Sequence, residues 1–207
     1  MSEAQTVAQL QSYFADQDSD VDPNVDTVQF VDLIHLIDAL QAIVEDDCIG
    51  EDDLPGWKRV QQASHLLAHT GCLANGNLLT IQCLIVKGLY LLAAQKYHAS
   101  YGVVGEAVRL CYLTGLHVQS RHADKSQSEI HMHQQTSWKL YCLDKKVSQS
   151  CRAPYLIRNC EIEVDLPACV DDKPIGGSEQ LPNEDFDSSG VPYPRSNVKW
   201  ARLGGET

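Results

Sequence analysis

The chain is 207 residues long, 43% hydrophobic and 21% charged, with a formal net charge of −12; that length and apolar content support one core burying roughly 70% of the unfolded chain's surface, without disulfides or a structural metal. Half of the 28 acidic residues fall within residues 1–60 beside only Lys58 and Arg59, so this stretch carries the whole excess and residues 61–207 are neutral. Such a balance argues against direct nucleic-acid contact, which needs Lys and Arg to displace counterions from phosphate; Lys145, Lys146, Arg152 and Arg158 make only a weak basic group.

From the N-terminus, Val7, Leu10 and Phe14 form one narrow apolar stripe over Ser2 to Ala15, and Ser2 with Gln5 has capping-box spacing, so a short amphipathic helix is expected there. Asp16 to Asp26 is an acidic linker broken by Pro23. Asp16, Asp18 and Asp20 match the first ligand positions of a calcium-binding EF-hand loop, but Val21 stands where the turn needs Gly and Thr27 where the bidentate Glu belongs, so the linker is read as solvated.

From Thr27 to Val44, residues Val28, Val31, Ile34, Leu36, Ile37, Leu40 and Val44 predict a long helix apolar over much of its girth, hence buried on more than one side. Acids around Gly50 follow, and Asp53 with Pro55 marks the next helix start. Trp57, Val60, Ala63, Leu67 and Thr70 carry that helix to Gly71; Asn77 opens another, with Leu78, Ile81, Ile85, Leu89 and Leu92 on one face and Leu84 and Leu91 on a second.

Ser100 to Thr114 places Tyr101, Val104, Val108 and Cys111 on one line and Val103, Ala107 and Leu110 on another. Gly115 follows as the left-handed residue that ends a helix, with Leu116 positioned to pack back. After a polar loop, Trp138, Tyr141 and Cys142 share one line, and Leu140, Leu143 and Val147 a second; both helices are expected to be central. Past Pro154, Ile162, Val164 and Leu166 alternate with Glu161, Glu163 and Asp165, which predicts an extended segment near 158–167. Residues 171–195 read as a loop, and Lys199-Trp200-Ala201-Arg202-Leu203 as the opening of a further helix.

These residues carry a resemblance. Gly105, Ala107, Arg109, Gly115, Leu116, His117, Trp138, Tyr141, Asp144, Ser148, Arg152, Pro154, Asp165, Leu166 and Pro167 fall in a pattern that resembles the middle homology domain of fungal binuclear-zinc-cluster transcription factors. With the stretch around Leu79 to Leu91, the likeness covers about Thr27 to Pro167. The chain departs from the pattern at Thr114, at Ser137 beside Trp138, at Cys151 before Arg152, and at His131-Met132-His133-Gln134, where an Arg-rich helix start is usual.

The resemblance implies an all-α fold of stacked antiparallel helices around one core, with residues 1–26 a short helix and linker, 27–170 the regulatory domain, and 171–207 a loop and the start of a truncated helix. Arg109, Gly115, Trp138, Asp144, Arg152 and Pro154 are its structural signature. It implies a non-catalytic module of a nuclear regulator without a cofactor of its own, whose partners are other transcription-regulatory proteins or a small-molecule inducer. Because that domain continues further in the resembled family, the chain reads as a truncated product.

Eight cysteines do not make a zinc cluster here. Cys48, Cys72, Cys83, Cys111 and Cys142 lie in or beside apolar helical runs, as buried thiols do, and no Cys-x-x-Cys pair occurs although Cys151, Cys160 and Cys169 recur every nine residues. DNA and zinc binding are therefore expected only of an intact family member.

Other chemistry is weakly supported. No Gly-x-Ser-x-Gly elbow and no phosphate-binding Gly loop occurs, and Gly102 with Gly105 lies inside a helix. His65 and His69 have the four-residue spacing of a zinc chelate without a third ligand, His131 and His133 point to different sides of a helix, and His117 and His122 flank the polar loop. Arg109 is expected to pair with Glu106, and Asp144 with Arg152. Two rival readings are a tetratricopeptide-like scaffold, which lacks the required 34-residue repeat, and an all-α metal-dependent enzyme using Asp46 and Asp47. No run approaches the roughly 20 apolar residues of a membrane span, and no basic-then-apolar leader opens the chain, so a soluble protein is expected.

Overall fold

A computed structural model describes residues 25–45, 54–69, 76–122 and 124–167, with the helical positions Val198 and Ala201. Five helices make up most of it: α1 (Val25–Glu45), α2 (Trp57–His69), α3 (Leu78–Ala93), α4 (Tyr97–Thr114) and α5 (Gln127–Cys151). Single 3-10 turns span Gln119–His122 and Asn159–Glu161. The expected helix at Ser2–Ala15, the linker before Val25, the acids at 46–53, the loop at 171–195 and, apart from Ala201, the helix opening at 199–203 lie outside the described residues.

Helix ends follow local chemistry. Asn77 accepts the Thr80 N–H at 2.9 Å and so caps α3. α4 starts three residues before the expected Ser100 and stops at Gly115, whose φ of +73° is left-handed, with the Leu116 N–H bonded to the Cys111 carbonyl. α5 opens on a capping box that the apolar periodicity does not announce: Ser126 Oγ accepts the Glu129 N–H, and the Glu129 carboxylate accepts the Ser126 N–H at 3.0 Å. Only three residues join α3 to α4, which makes them antiparallel neighbours.

α3 is the central helix, packed on α1, α4 and α5, while α2 packs on α1. One side of α3 sends Ile81, Leu84 and Ile85 into a cluster with Val104, Val108, Trp138, Leu140 and Val147, which Val198 and Ala201 join. The other side sends Cys83, Tyr90 and Leu91 against Leu36, Ala39 and Ile43 of α1 and Val60, Ala63 and Leu67 of α2. Where α3, α4 and α5 cross, a Cβ on Gly88 would stand 3.2 Å from Leu143 and 3.3 Å from Val104, so the absent side chain sets the approach. Burying each aliphatic side chain contributes about 1.5–3 kcal/mol.

α1 is less enclosed than its sequence suggests. Val28, Val31, Leu36, Ala39 and Ile43 are buried, but Phe30, Ile37 and Val44, spaced seven apart, are 54%, 47% and 68% exposed. Among the described residues, α2 and α3 cover one flank of α1, and these three side chains lie off it.

The α1–α3 contact holds two contrasting polar sites. Gln29 donates to Thr80 Oγ1 at 3.0 Å and accepts from Asn77 Nδ2 at 2.7 Å, and its carbonyl accepts from the Cys83 thiol, a closed network. One turn on, Asp32 is fully buried and neither carboxylate oxygen has a hydrogen-bond partner. Burial raises its pKa from the ordinary 3.8 to about 7.

Because the folded carboxyl is the stronger proton binder, stability falls as pH rises from about 4 to about 7 and stays reduced above that. The loss is at most about 4 kcal/mol. Asp32→Asn should remove this component. Urea melts of parent and variant at pH 4.5, 6 and 8 are expected to show the variant gaining on the parent by a few kcal/mol as pH rises; parallel profiles would refute the assignment.

Candidate functional site

A cleft forms where the chain leaves α4. Gly115 turns the backbone, and one parallel bridge fixes the residues beyond it: the Gln119 N–H donates to the Glu163 carbonyl at 2.9 Å and the Glu163 N–H to the His117 carbonyl at 2.9 Å. The 3-10 turn Gln119–His122 then folds back over the end of α4. Arg121 lies so close across Gly115 that a Cβ there would meet its Cδ at 2.3 Å. This position therefore needs glycine for its φ, while the flexible Arg121 side chain above it sets a guanidinium at the negative end of the α4 dipole.

The cleft has a volume of about 280 Å³. Leu78 and Ile81 from the start of α3 and Leu116 make an apolar floor; Asn77 and Thr114 stand beside it, and Arg121, His122, Lys125 and His133 form a basic wall. The rings of His122 and His133 sit 4.3 Å apart and tilted by 53°. His122 is only 8% exposed, and its Nε2 lies 3.2 Å from the Gly115 carbonyl. A carbonyl only accepts, so Nε2 carries the proton and Nδ1 of the neutral ring is an acceptor, which is buried without a partner. Nδ1 of His133 is likewise unsatisfied.

Burial lowers the pKa of His122 despite its Gly115 bond. His133 is pushed down to about 4 by burial first, then by His122 and Lys125. Sequence spacing puts His122 beside a loop and His133 on a helix but has no means of pairing them across it. Among the described residues no cluster of three or more His, Cys, Asp or Glu is arranged to hold a metal. His65 is exposed, while the His69 side chain and Asp46 and Asp47 lie outside the described residues.

The signature residues do not converge on this cleft; Gly115 alone adjoins it. Trp138 is 3% exposed, packs edge-on to Tyr141 at 5.4 Å and donates Nε1–H to the Asp165 carbonyl at 2.9 Å. Asp144 is fully buried and gathers the N–H groups of Leu156 and Ile157 at 3.0–3.1 Å and the Ser148 hydroxyl at 3.2 Å. The Pro154 carbonyl accepts from Tyr101 at 2.9 Å and Ser148 at 3.3 Å.

Neither expected ion pair forms among the described residues. Asp144 faces Lys145 at 3.8 Å rather than Arg152. Arg152 is the exposed left-handed residue, φ +54°, on which the chain reverses, and the reversal brings backbone N–H groups to the carboxylate in place of its guanidinium. Arg109 is exposed on α4, and the Glu106 charge opposes the lowering that burial gives the Lys87 ammonium. Lys145 leaves the weak basic group: it is 1% exposed, donates to the Ile157 carbonyl and lies 4.2 Å from the Tyr155 ring and 4.9 Å from that of Tyr141. Burial pushes the Asp144 carboxyl up, opposed by its donors, and pushes the Lys145 ammonium down, opposed by Asp144.

Removing one member of such a buried pair strands the other charge. Asp144→Ala should therefore cost about 3–5 kcal/mol and release the segment after α5. Denaturant melts with amide exchange at Leu156 and Ile157 check both; a loss under about 1 kcal/mol with unchanged protection would show that the contacts are incidental.

The model of the fungal specific transcription factor domain matches residues 23–197. Among curated relatives, the probable transcription factor FUP6 of Fusarium proliferatum is 29% identical over 113 residues, 54% of this chain and 16% of that protein. The thiamine repressible genes regulatory protein thi1 of Schizosaccharomyces pombe is 26% identical over 102 residues, 49% of this chain and 13% of its own length. The transcriptional activator protein acu-15 of Neurospora crassa is 27% identical over 115 residues, 54% of this chain and 12% of its own. The chain thus spans a small part of the length of these relatives, and no solved structure matches it. With most of its length inside the family match and its relatives regulators of transcription, the chain belongs to the fungal specific transcription factor domain family.

Proposed function

We propose that this chain is the non-catalytic regulatory module of a nuclear transcription factor, which restrains or relays activation while DNA and zinc binding reside elsewhere. The match over residues 23–197 carries the reading. Two features of the molecule support it. Trp138, Asp144 and Pro154 are engaged in fastening α5 to the chain beyond it, which is a packing role rather than a chemical one. The −12 net charge disfavours contact with a phosphate backbone. The partners in this reading are other transcription-regulatory proteins or a small-molecule inducer.

The chain placed between a heterologous DNA-binding domain and an activation domain should change reporter output severalfold relative to an inert helical domain of equal size, and Asp144→Ala should abolish the change. Output equal to that of the inert domain overturns the regulatory reading. The isolated chain, titrated by anisotropy against DNA at about 0.15 M salt, where weak electrostatic attraction is screened, should show no sequence preference. Sub-micromolar preference for one sequence over its scramble would overturn the assignment of DNA binding to another part.

A further inference from the structure

We propose that the cleft between the start of α3 and the Gln119–His122 turn binds a small organic anion, a carboxylate or phosphate monoester with an apolar body, whose charge is met by Arg121 and Lys125. Three observations meet at one place. The space, about 280 Å³, lies at the small end of ligand sites, which suits a metabolite-sized molecule. Its two sides differ in kind, an apolar floor under a basic wall, and none of the described acidic side chains lines it. An amphipathic anion is the ligand that satisfies both at once.

The third observation is His122 itself. It is more than nine-tenths buried, its Nε2–H is committed to the Gly115 carbonyl, and its Nδ1 has no partner. An unsatisfied buried polar atom costs about 1–3 kcal/mol; this one is an acceptor, which the remaining acid proton of a phosphate monoester monoanion would relieve and a carboxylate would not. His133, ring against ring with His122, presents a second unsatisfied Nδ1. The charges that act on the two rings are Arg121, Asp124, Lys125 and Glu129, and of these only Arg121 and Lys125 line the cleft.

That such binding would alter transcriptional output rests on the regulatory reading; the binding itself does not. The test is a titration of the whole chain with phenyl phosphate, benzoate, benzyl alcohol and inorganic phosphate, followed by the imidazole signals of His122 and His133 in NMR and by calorimetry. At least one of the two organic anions should bind saturably at submillimolar concentration, and the better of them identifies phosphate or carboxylate as the preferred head group. Benzyl alcohol and inorganic phosphate should bind at least tenfold more weakly.

Arg121→Gln and Lys125→Gln should each weaken binding about tenfold, while Lys146→Gln, which removes the same charge from the exposed face of α5, should leave it within twofold. The proposal is overturned if neither organic anion saturates below about 1 mM, where the binding free energy is only about −4 kcal/mol. It is equally overturned if benzyl alcohol or inorganic phosphate binds as well as the organic anions, or if all three variants weaken binding alike. Binding without a ligand-dependent change in the reporter would leave the cleft standing and remove only its link to transcriptional output.

Discussion

The described fold hangs on one buried carboxylate. Asp144 is withdrawn from water on α5, and burial of a charge is tolerable only when donors replace the lost hydration. Here they are the Leu156 and Ile157 N–H groups, the Ser148 hydroxyl and the neighbouring Lys145, brought together by the chain reversal at Arg152. A buried pair of this kind adds little net stability over an apolar substitute, but it admits one arrangement of its donors. It therefore specifies where the chain after α5 goes.

Other contacts depend on that placement. Trp138 holds the Asp165 carbonyl, Tyr141 holds Asn159, and Tyr112 of α4 donates to Glu161 at 2.8 Å. Each is an aromatic ring with an apolar body in the core and a polar tip reaching outward. So anchored, Glu163 meets His117 and Gln119, the 3-10 turn folds over Gly115, and His122 arrives opposite His133. A lock on one side of α5 thus positions the cleft near the end of α4 some distance away.

The α1–α3 contact treats polarity in two ways. Gln29, Asn77 and Thr80 satisfy one another, which costs nothing in unmade hydrogen bonds and fixes α1 on the helix start. Asp32, one turn further, is satisfied by nothing, and burial raises its pKa to about 7. His122 and His133 repeat that condition beside the cleft. Unsatisfied buried groups in a folded protein mark strain or an absent partner; at Asp32 the result is pH sensitivity, and at the cleft the geometry admits a ligand.

Helical periodicity and turn chemistry are local, and they were legible: the lines through Val104 and Trp138, the Asn77 cap, the Gly115 stop and the alternation around Val164 all depend on residues a few positions apart. So was the family, through the run from Gly105 to Pro167. The burial of Lys145, the partners of Asp144, the solvent-facing Phe30, Ile37 and Val44, and the meeting of His122 with His133 were not. A lysine reads as a surface charge until the chain twelve residues on brings it a carbonyl and an aromatic ring, and a helix apolar all round reads as enclosed until only one flank finds neighbours among the described residues. Sequence determined which segments are helices and where they stop, because those forces act within a turn; tertiary structure decided which polar groups lose water and which partners they gain, because desolvation depends on chain brought from far away.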